Sequence, residues 1–369
     1  MRPLFAGTVQ THWGGYDPKP PTGPEAHEAL QKCLAEAELA ERSGFDGVLV
    51  AERHARSECV GPDPVGLLGA IAARTERIFL GSYVQLLSLH HPIDVAESWA
   101  QLDCLSGGRA VAGVGIGYND RYFDLFGVPR KERRRRFDRA LEIIRAAWAG
   151  EELETEWEGR PVRGEVHPRP HGRIPIWMGS QFPKTIAHAG AVADGWAIAF
   201  PFDRARWDEM RAIYEASARE NGRARVIALS RHCWVADSRE EAVSFYAPLW
   251  LEELSYYWHR GQVTHADFTS EADLTPENAA KNLILGTPEQ CAEQIVELVR
   301  DWGVDVLKIA YRTPLGPSAE EVAQNIERIG TEVLPLVRRE LGLPAEPTPA
   351  PAQVLRDEVA AAESTRSAA

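Results

Sequence analysis

Short apolar segments alternate along this chain with longer segments in which apolar residues recur at helical spacing. The short segments show little alternation of apolar and polar residues, which is typical of parallel strands that are covered on both faces. They lie at residues 3–9, 45–50, 78–85, 110–114, 174–178, 195–199, 225–230 and 304–310. Repeated strand–helix units of this number predict a closed (β/α)8 TIM barrel, since a doubly wound sheet more often carries a GxGxxG loop after its first strand.

Residues 91–117 contain one complete unit. Apolar residues recur at helical spacing over 93–105, and the Ser-Gly-Gly that follows ends the helix because glycine accepts positive φ. Residues 110–114 then form an apolar strand that leads into Gly115 and Gly117. A glycine loop at a strand end either lets a ligand approach the backbone closely or only turns the chain.

Two segments interrupt the regular repeat. Residues 150–172 are rich in Glu, Arg and Pro, and residues 247–281 carry several aromatic side chains among polar ones. Both are predicted to be insertions over the C-terminal mouth of the barrel. The second is either a lid that closes over a substrate or a segment packed against the rim. We expect one barrel domain over residues 1–343, followed by a Pro-, Ala- and Glu-rich segment, 344–369, that is mostly disordered.

Composition narrows the possible functions. The 369 residues are 44% hydrophobic, and 41 basic against 54 acidic residues give a net charge of −13. This charge argues against nucleic acid or an anionic membrane as the main partner. No apolar run reaches the roughly 18 residues of a membrane helix and nothing resembles a signal peptide, so a cytoplasmic enzyme is expected. The five cysteines are scattered without a C-x-x-C pair, which indicates neither a disulfide framework nor a zinc site.

In a barrel of this kind the reactive groups follow the strands. Glu52, Arg53 and His54 come directly after the second predicted strand, and His54 is the side chain best able to exchange a proton near neutral pH. The alternative is a salt bridge between Glu52 and Arg53 with His54 at the rim. Paired carboxylates, a metal-spaced cluster and a nucleophile–base pair do not stand out, which favours chemistry supplied by a cofactor.

Gly179 and Ser180 precede a helix that is predicted to begin near residue 183. Free amides at a helix N-terminus, a hydroxyl group and Lys184 would together favour an anion such as a phosphate. The alternative is an ordinary capped helix.

The pattern HP-x3-AE-x4-LD-x-LSGGR at residues 91–109, followed by a glycine-rich strand, resembles the bacterial luciferase-like flavin-dependent monooxygenase family. The likeness covers most of residues 1–340, and the family fold is the same (β/α)8 barrel. The resemblance implies an enzyme that uses reduced FMN and oxygen to oxidise a small apolar organic substrate. A separate flavin reductase would deliver the FMN, since the chain has no second nucleotide fingerprint. A homo-oligomer, a dimer or a tetramer, is also implied.

The resemblance also implies site residues. Glu52-Arg53-His54 is similar to the family's Glu-His-His, whose first histidine is catalytic in the luciferases. Arg53 stands at that position here, so light emission is not expected, and His54 with Arg53 would orient the substrate or donate protons. Residues 82–85 match a strand end beside the flavin ring that sometimes contains a non-proline cis peptide. The cofactor-binding residues that the resemblance implies are Ser82, Tyr83, Val84, Gly115, Gly117, Tyr118, Gly179, Ser180 and Lys184.

Two alternatives stay open within this resemblance. Ile116 stands where some family members place a phosphate-binding arginine, and the loop resembles members that use a deazaflavin as much as the luciferases. A deazaflavin-dependent oxidoreductase of the same fold is therefore the second interpretation. A non-catalytic flavin-binding protein is the third, because Arg53 replaces the catalytic histidine.

Overall fold

The computed structural model describes residues 1–12, 19–199, 202–261, 263 and 265–367. The strands are β1 (Leu4–Val9), β2 (Gly47–Val50), β3 (Phe79–Ser82), β4 (Gln85–Leu86), β5 (Ala110–Gly115), β6 (Leu153–Trp157), β7 (Arg160–Gly164), β8 (Ile176–Gly179), β9 (Gly195–Ile198), β10 (Ile227–Val235), β11 (Ile284–Gly286) and β12 (Val306–Ala310). The α-helices are α1 (Gly23–Arg42), α2 (Pro64–Ala72), α3 (Pro92–Leu105), α4 (Asp120–Phe126), α5 (Arg133–Ala149), α6 (Pro183–Val192), α7 (Arg204–Glu220), α8 (Arg239–Trp258), α9 (Pro276–Ala280), α10 (Pro288–Arg300), α11 (Ala319–Arg328), α12 (Leu334–Glu340) and α13 (Pro351–Ser367). Of the helices described, none is long and apolar enough to cross a bilayer.

The parallel strands close into a barrel. Their order is β1-β2-β3-β5-β8-β9-β10-β12, and β12 pairs with β1 through Leu4 and Val306. The eight barrel strands coincide with the eight apolar segments of the sequence, so the predicted (β/α)8 TIM barrel is confirmed. The two remaining additions to the sheet are short: β4 pairs with β5, and β11 pairs with the end of β10.

Burial on both faces explains why the strands lack polar alternation. On β2, Leu49 belongs to the cluster inside the barrel, whereas Val48 and Val50 belong to the larger cluster between the strands and the helices. All three side chains are fully buried. A strand with no solvent-facing side has no position at which a polar residue is favoured.

The two insertions take different forms. Residues 153–164 form the antiparallel β6–β7 hairpin within the first predicted insertion. The second predicted insertion, 247–281, differs from the prediction, because residues 247–258 are the last turns of α8 and Pro276–Ala280 form α9. Pro248 lies inside α8 and interrupts the helical pattern of the sequence, since proline in a helix interior removes one backbone hydrogen bond.

The C-terminal segment corrects the prediction of disorder over residues 344–369. Residues 351–367 form α13, and Leu355 and Ala352 are buried against Leu4 and Val306 at the end of the barrel interior where the strands begin. Arg356 donates a hydrogen bond of 2.7 Å to the buried carboxylate of Asp103. An Ala-rich composition hides such a helix in the sequence, because few large apolar residues mark its buried face.

We expect Leu355→Ala to lower the free energy of unfolding by about 2–5 kcal/mol, because it leaves a cavity beneath the barrel. The measurement is urea denaturation followed by tryptophan fluorescence. Gln353→Ala, on the exposed face of the same helix, is the matched control and should change stability by about 0.5 kcal/mol or less. Equal, small effects of the two substitutions would show that α13 does not stabilise the barrel.

Candidate active site

Five ionisable side chains meet at the C-terminal mouth of the barrel, and we call them the central cluster: His12, Arg53, His232, Glu253 and Lys308. Arg53 hydrogen-bonds the Nε2 atom of His12, and its Nη2 atom lies 3.9 Å from Glu253 Oε1. The Nε2 atom of His232 lies 3.8 Å from the other oxygen of Glu253. Lys308 Nζ donates to Ser230 Oγ at 3.2 Å and lies 4.9 Å from the centre of the Tyr83 ring. The loops after β1 and β2, strands β10 and β12, and α8 all contribute.

Burial sets the protonation of this cluster. Loss of hydration, with the charge of Arg53 added, lowers the pKa of Lys308 from 10.5 to about 7, although Glu253 opposes the shift. Burial also holds the pKa values of His12 and His232 well below the ordinary value of histidine, so both imidazoles are neutral near pH 7. Lys308 can therefore hold or release a proton in the neutral range.

Lys308 was not among the residues predicted for the site. It stands in β12 two residues after Val306, so both side chains point into the barrel, and it is almost fully buried. The signal in the sequence was a lysine inside an otherwise apolar strand, Val-Leu-Lys-Ile-Ala. Lysine is rarely buried without a functional or structural reason.

A second group, the Glu52 cluster, consists of Glu52, His54 and His90. One carboxylate oxygen of Glu52 accepts hydrogen bonds from Nε2 of His54 at 2.6 Å and from Nε2 of His90 at 2.8 Å. The other oxygen accepts from the backbone amide of Leu86 at 2.8 Å. Burial favours the neutral acid, but the two imidazole hydrogen bonds outweigh it and lower the pKa of Glu52. Burial likewise opposes charge on His90, yet Glu52 raises the pKa of His90 overall.

The ligand atoms of the Glu52 cluster lie within 4.8 Å of one another, a spacing that could hold a metal ion. The sequence predicted no metal site, because His90 is 36 residues from His54 and no short motif joins them. The hydrogen bonds already account for all three side chains.

Arg53 and His54 contact different surroundings. Arg53 contacts the central cluster, whereas the ring of His54 packs against Tyr122 and Phe126 at centroid distances of 5.7 and 4.7 Å. The alternative interpretation of a Glu52–Arg53 salt bridge is wrong, because Glu52 bonds His54 and His90 while the carboxylate beside Arg53 is that of Glu253. Adjacent residues of an extended segment point in opposite directions, which separates the two predicted catalytic side chains.

The residues predicted beside the flavin ring are well packed. The Tyr83–Val84 peptide bond is cis. Ser82 Oγ donates to the carbonyl of Gly113 at 2.6 Å, and the Tyr83 hydroxyl lies 2.8 Å from the carbonyl oxygens of Ile198 and Ala228. Both side chains are therefore committed to the barrel interior, and of residues 82–84 only Val84 is partly exposed.

The glycines at these strand ends make room for the side chain of Val84. A Cβ atom on Gly115 would lie 2.7 Å from a methyl group of Val84, and one on Gly179 would lie 3.1 Å from the same side chain. Gly117 has φ +83° and turns the chain towards α4. Tyr118, the next residue, is partly buried, with its ring centre 6.4 Å from that of Tyr257.

The predicted phosphate loop keeps an unused hydroxyl group. Ser180 Oγ is buried and has no hydrogen-bond partner in the described parts of the chain, whereas the Ser180 amide already donates to the carbonyl of Ala197 at 3.2 Å. Lys184 is exposed in the first turn of α6. The hydroxyl and the lysine could hold an anion at this place, although Pro183 has no N–H group and the Thr185 amide already donates to the Phe182 carbonyl at 2.9 Å.

The last turns of α8 cover the mouth. Arg56 donates to the Tyr257 hydroxyl at 3.2 Å, and its guanidinium lies 4.7 Å from the ring centre of Tyr256. Together with the Arg53–Glu253 contact, these interactions hold an aromatic helix end against the loop after β2. The site is thus enclosed by aromatic side chains around a polar centre.

Comparison with known proteins identifies the family of this chain. Residues 6–306 match the model of the luciferase-like monooxygenase family. The chain belongs to that family. The luciferase-like chain is 28% identical over 341 residues to the F420-dependent glucose-6-phosphate dehydrogenase of Beutenbergia cavernae. The aligned residues cover 84% of this chain and 94% of the relative. It is also 28% identical to the 4-hydroxyprotoasukamycin monooxygenase of Streptomyces nodosus subsp. asukaensis, over 83% of this chain and 88% of that one.

A solved structure of similar fold is the monooxygenase RslO1 of Streptomyces bottropensis. It superposes on the luciferase-like chain with a TM-score of 0.74 at 24% identity and covers 91% of this chain and 99% of that one. Membership of the family makes the chain an oxidoreductase of the luciferase-like class, and its relatives include both an F420-dependent dehydrogenase and a monooxygenase.

Lys308 should make the stability of the protein depend on pH. Because its pKa in the folded chain, about 7, lies below the ordinary 10.5, the unfolded chain binds more protons between these values, and stability rises with pH there. We expect Lys308→Met to reduce this rise by up to about 1.4 kcal/mol per pH unit. The measurement is urea denaturation at pH 7 and pH 9.

The control for this experiment is Lys131→Met, at an exposed position, which should leave the pH dependence of stability as it is in the unmodified protein. The same pH dependence in the Lys308 variant would mean that this lysine is charged in the folded state.

Proposed function

We propose that the chain is a flavin-dependent monooxygenase that uses reduced FMN, supplied by a separate reductase, and oxygen to oxidise a small organic substrate. The observation that carries this proposal is the enclosed mouth, where proton-handling side chains lie beneath the aromatic end of α8. Oxygenation by a reduced flavin needs a site from which water is excluded. When bound, the flavin supplies the electrons and activates oxygen, and the protein supplies position and protons.

The chain's own residues would divide this work between the two clusters. The aromatic rings of Tyr118 and Tyr257 would hold the apolar body of the substrate, and Arg53 would orient an oxygen atom of it through its planar fork. His54 would exchange a proton, with Glu52 as the positioning residue that fixes its Nε2 atom. Ser180 and Lys184 would hold the phosphate of the cofactor, because Ser180 Oγ has no other partner among the described residues.

A deazaflavin-dependent oxidoreductase is the second candidate. The observation that favours it is Ile116, which packs against the core where some FMN-binding members place an arginine. The F420-dependent relative from Beutenbergia cavernae supports the same possibility, since F420 is a deazaflavin.

One experiment separates these candidates. The purified protein is titrated without oxygen with reduced FMN and with a reduced deazaflavin, and bound mixtures are then exposed to isotope-labelled oxygen and a set of aromatic and aliphatic substrates. Label in the product, with FMN preferred, supports the monooxygenase. Substrate-dependent oxidation or reduction of deazaflavin without label supports the second candidate. Binding of flavin with neither reaction, over the set, would favour a non-catalytic flavin-binding protein.

Ser180→Asp tests the phosphate end of the cofactor site. We expect the Kd of reduced FMN to rise about 10-fold or more, because the added carboxylate repels the phosphate at close range. Fluorescence titration gives the Kd. Ser318→Asp is the control, since it adds the same charge at the N-cap of α11 and should leave the Kd unchanged. Unchanged affinity of the Ser180 variant would place the phosphate elsewhere.

His54→Ala tests the proton-exchange role. Turnover should fall about 100-fold, the usual scale for a lost acid–base group, while the Kd of the cofactor stays within about 2-fold. The midpoint of urea denaturation should stay unchanged, which separates the loss of proton exchange from a purely structural effect. Arg53→Lys is the comparison, and it should mainly raise KM because lysine lacks the planar fork. Near-normal turnover of the His54 variant would reject the role.

A further inference from the structure

A cavity of about 120 Å³ lies between α1 and α11, and it shares His12 with the central cluster. One face of α1 lines it with Ala29, Lys32, Cys33 and Glu36, and the other wall consists of Gln10, His12, Arg312 and Ala319. Lys32 is half exposed and marks the side that faces solvent. At a liquid volume of about 30 Å³ per water molecule, the cavity has room for roughly four waters or one small solute.

Four buried polar atoms of these walls have no hydrogen-bond partner within the part of the chain that the structure describes. They are Gln10 Oε1, His12 Nδ1, Glu36 Oε2 and Arg312 Nε. Gln10 and Glu36 are 7% and 5% exposed, so these groups have lost most of their contact with bulk water. A buried polar group without a partner costs about 1–3 kcal/mol, which makes four in one cavity unusual unless something binds there.

The donors and acceptors of the cavity can be assigned. Arg53 donates to Nε2 of His12, and the imidazole is neutral because burial lowers its pKa, so its proton lies on Nδ1. Arg312 and Glu36 hydrogen-bond each other through Nη2 and Oε1. Arg312 Nε, which is a donor, and Glu36 Oε2, which is an acceptor, have no partner among the described residues. The cavity therefore offers two donors, on His12 and Arg312, and two acceptors, on Gln10 and Glu36.

We propose that this cavity is a second small-molecule site that binds a small carboxylate bearing an adjacent ammonium or hydroxyl group. The carboxylate would accept from His12 Nδ1 and Arg312 Nε, with Lys32 adding positive charge at the rim. An ammonium group would donate to both Gln10 Oε1 and Glu36 Oε2, whereas a hydroxyl group, which has one proton, would donate to one of them. An amino carboxylate satisfies all four atoms and a hydroxy carboxylate satisfies three, whereas a plain carboxylate or a plain amine satisfies only two.

The cavity is joined to the active site by one side chain. His12 lines the cavity through Nδ1 and contacts Arg53 through Nε2. A carboxylate on Nδ1 fixes the tautomer in which Nε2 accepts from Arg53. Occupancy of the cavity would thereby hold Arg53 in its present orientation.

Binding is tested on the full chain by calorimetric titration with glycine, glycolate, acetate and methylammonium. Glycine or glycolate should bind at least about 10-fold more tightly than acetate and methylammonium, and the stronger of the two identifies the donor group. No heat from glycine or glycolate up to 20 mM probe, or equal affinity for acetate, would overturn the proposal and leave water as the content of the cavity.

Variants locate the site. Glu36→Gln should weaken binding of the preferred probe about 10-fold or more, because the acceptor loses its charge. Glu38→Gln is the matched control, since Glu38 also lies on α1 and pairs with an arginine, Arg74, at 3.4 Å, but outside the cavity. Ala29→Leu fills the cavity without removing a charge and should abolish binding even if the Glu36 variant folds poorly. Binding that survives Ala29→Leu would place the probe elsewhere.

Discussion

A buried arginine imposes the main constraint on the mouth of this barrel. Arg53 has a side chain only 16% exposed, and a cation in that position needs acceptors, because an unpaired buried charge destabilises a protein by several kcal/mol. Glu253 on α8 and His12 after β1 supply these acceptors. The end of α8 is consequently held over the mouth, and its aromatic residues come with it. The enclosure of the active site is thus a consequence of neutralising one charge.

Burial and the same charge together explain the remaining protonation states. Loss of hydration disfavours a cation on Lys308 and on His232, and the positive charge of Arg53 adds to this effect. Glu253 partly compensates, since it lies between Arg53 and His232. A lysine that is neutral or charged at nearly equal cost can respond to a bound anion by taking up a proton. The cluster therefore behaves as one unit, in which the state of each group depends on the others.

The fold could be predicted from the sequence because its signals are local. An apolar strand such as 110–114 and the glycines before it are recognisable within a few residues, and repetition of that unit implies the barrel. The end of the chain and the segment 247–281 could not be predicted in this way. Helix α13 gains its stability from a distant contact, the burial of Leu355 in the barrel, and Pro248 concealed the continuity of α8. Tertiary packing therefore determines the helical structure of both segments.

Only the site residues that follow a strand could be predicted from the sequence. Arg53, His54 and Ser180 do follow strands, yet Arg53 pairs with Glu253, and His54 shares the Glu52 carboxylate with His90. No short motif connects Glu253 or His90 with the loop after β2, and Ser180 Oγ has no partner among the described residues. The prediction did not take into account that successive residues of an extended segment point to opposite sides. This alternation places Glu52 and His54 on one side and Arg53 on the other, so one tripeptide serves two clusters with different chemistry. In the proposed function, the carboxylate–imidazole group would move protons, while Arg53 would bind an oxygen atom of the substrate. Arg53 in place of the histidine that the family resemblance implies would then change what the mouth binds and leave the pair of Glu52 and His54 in place.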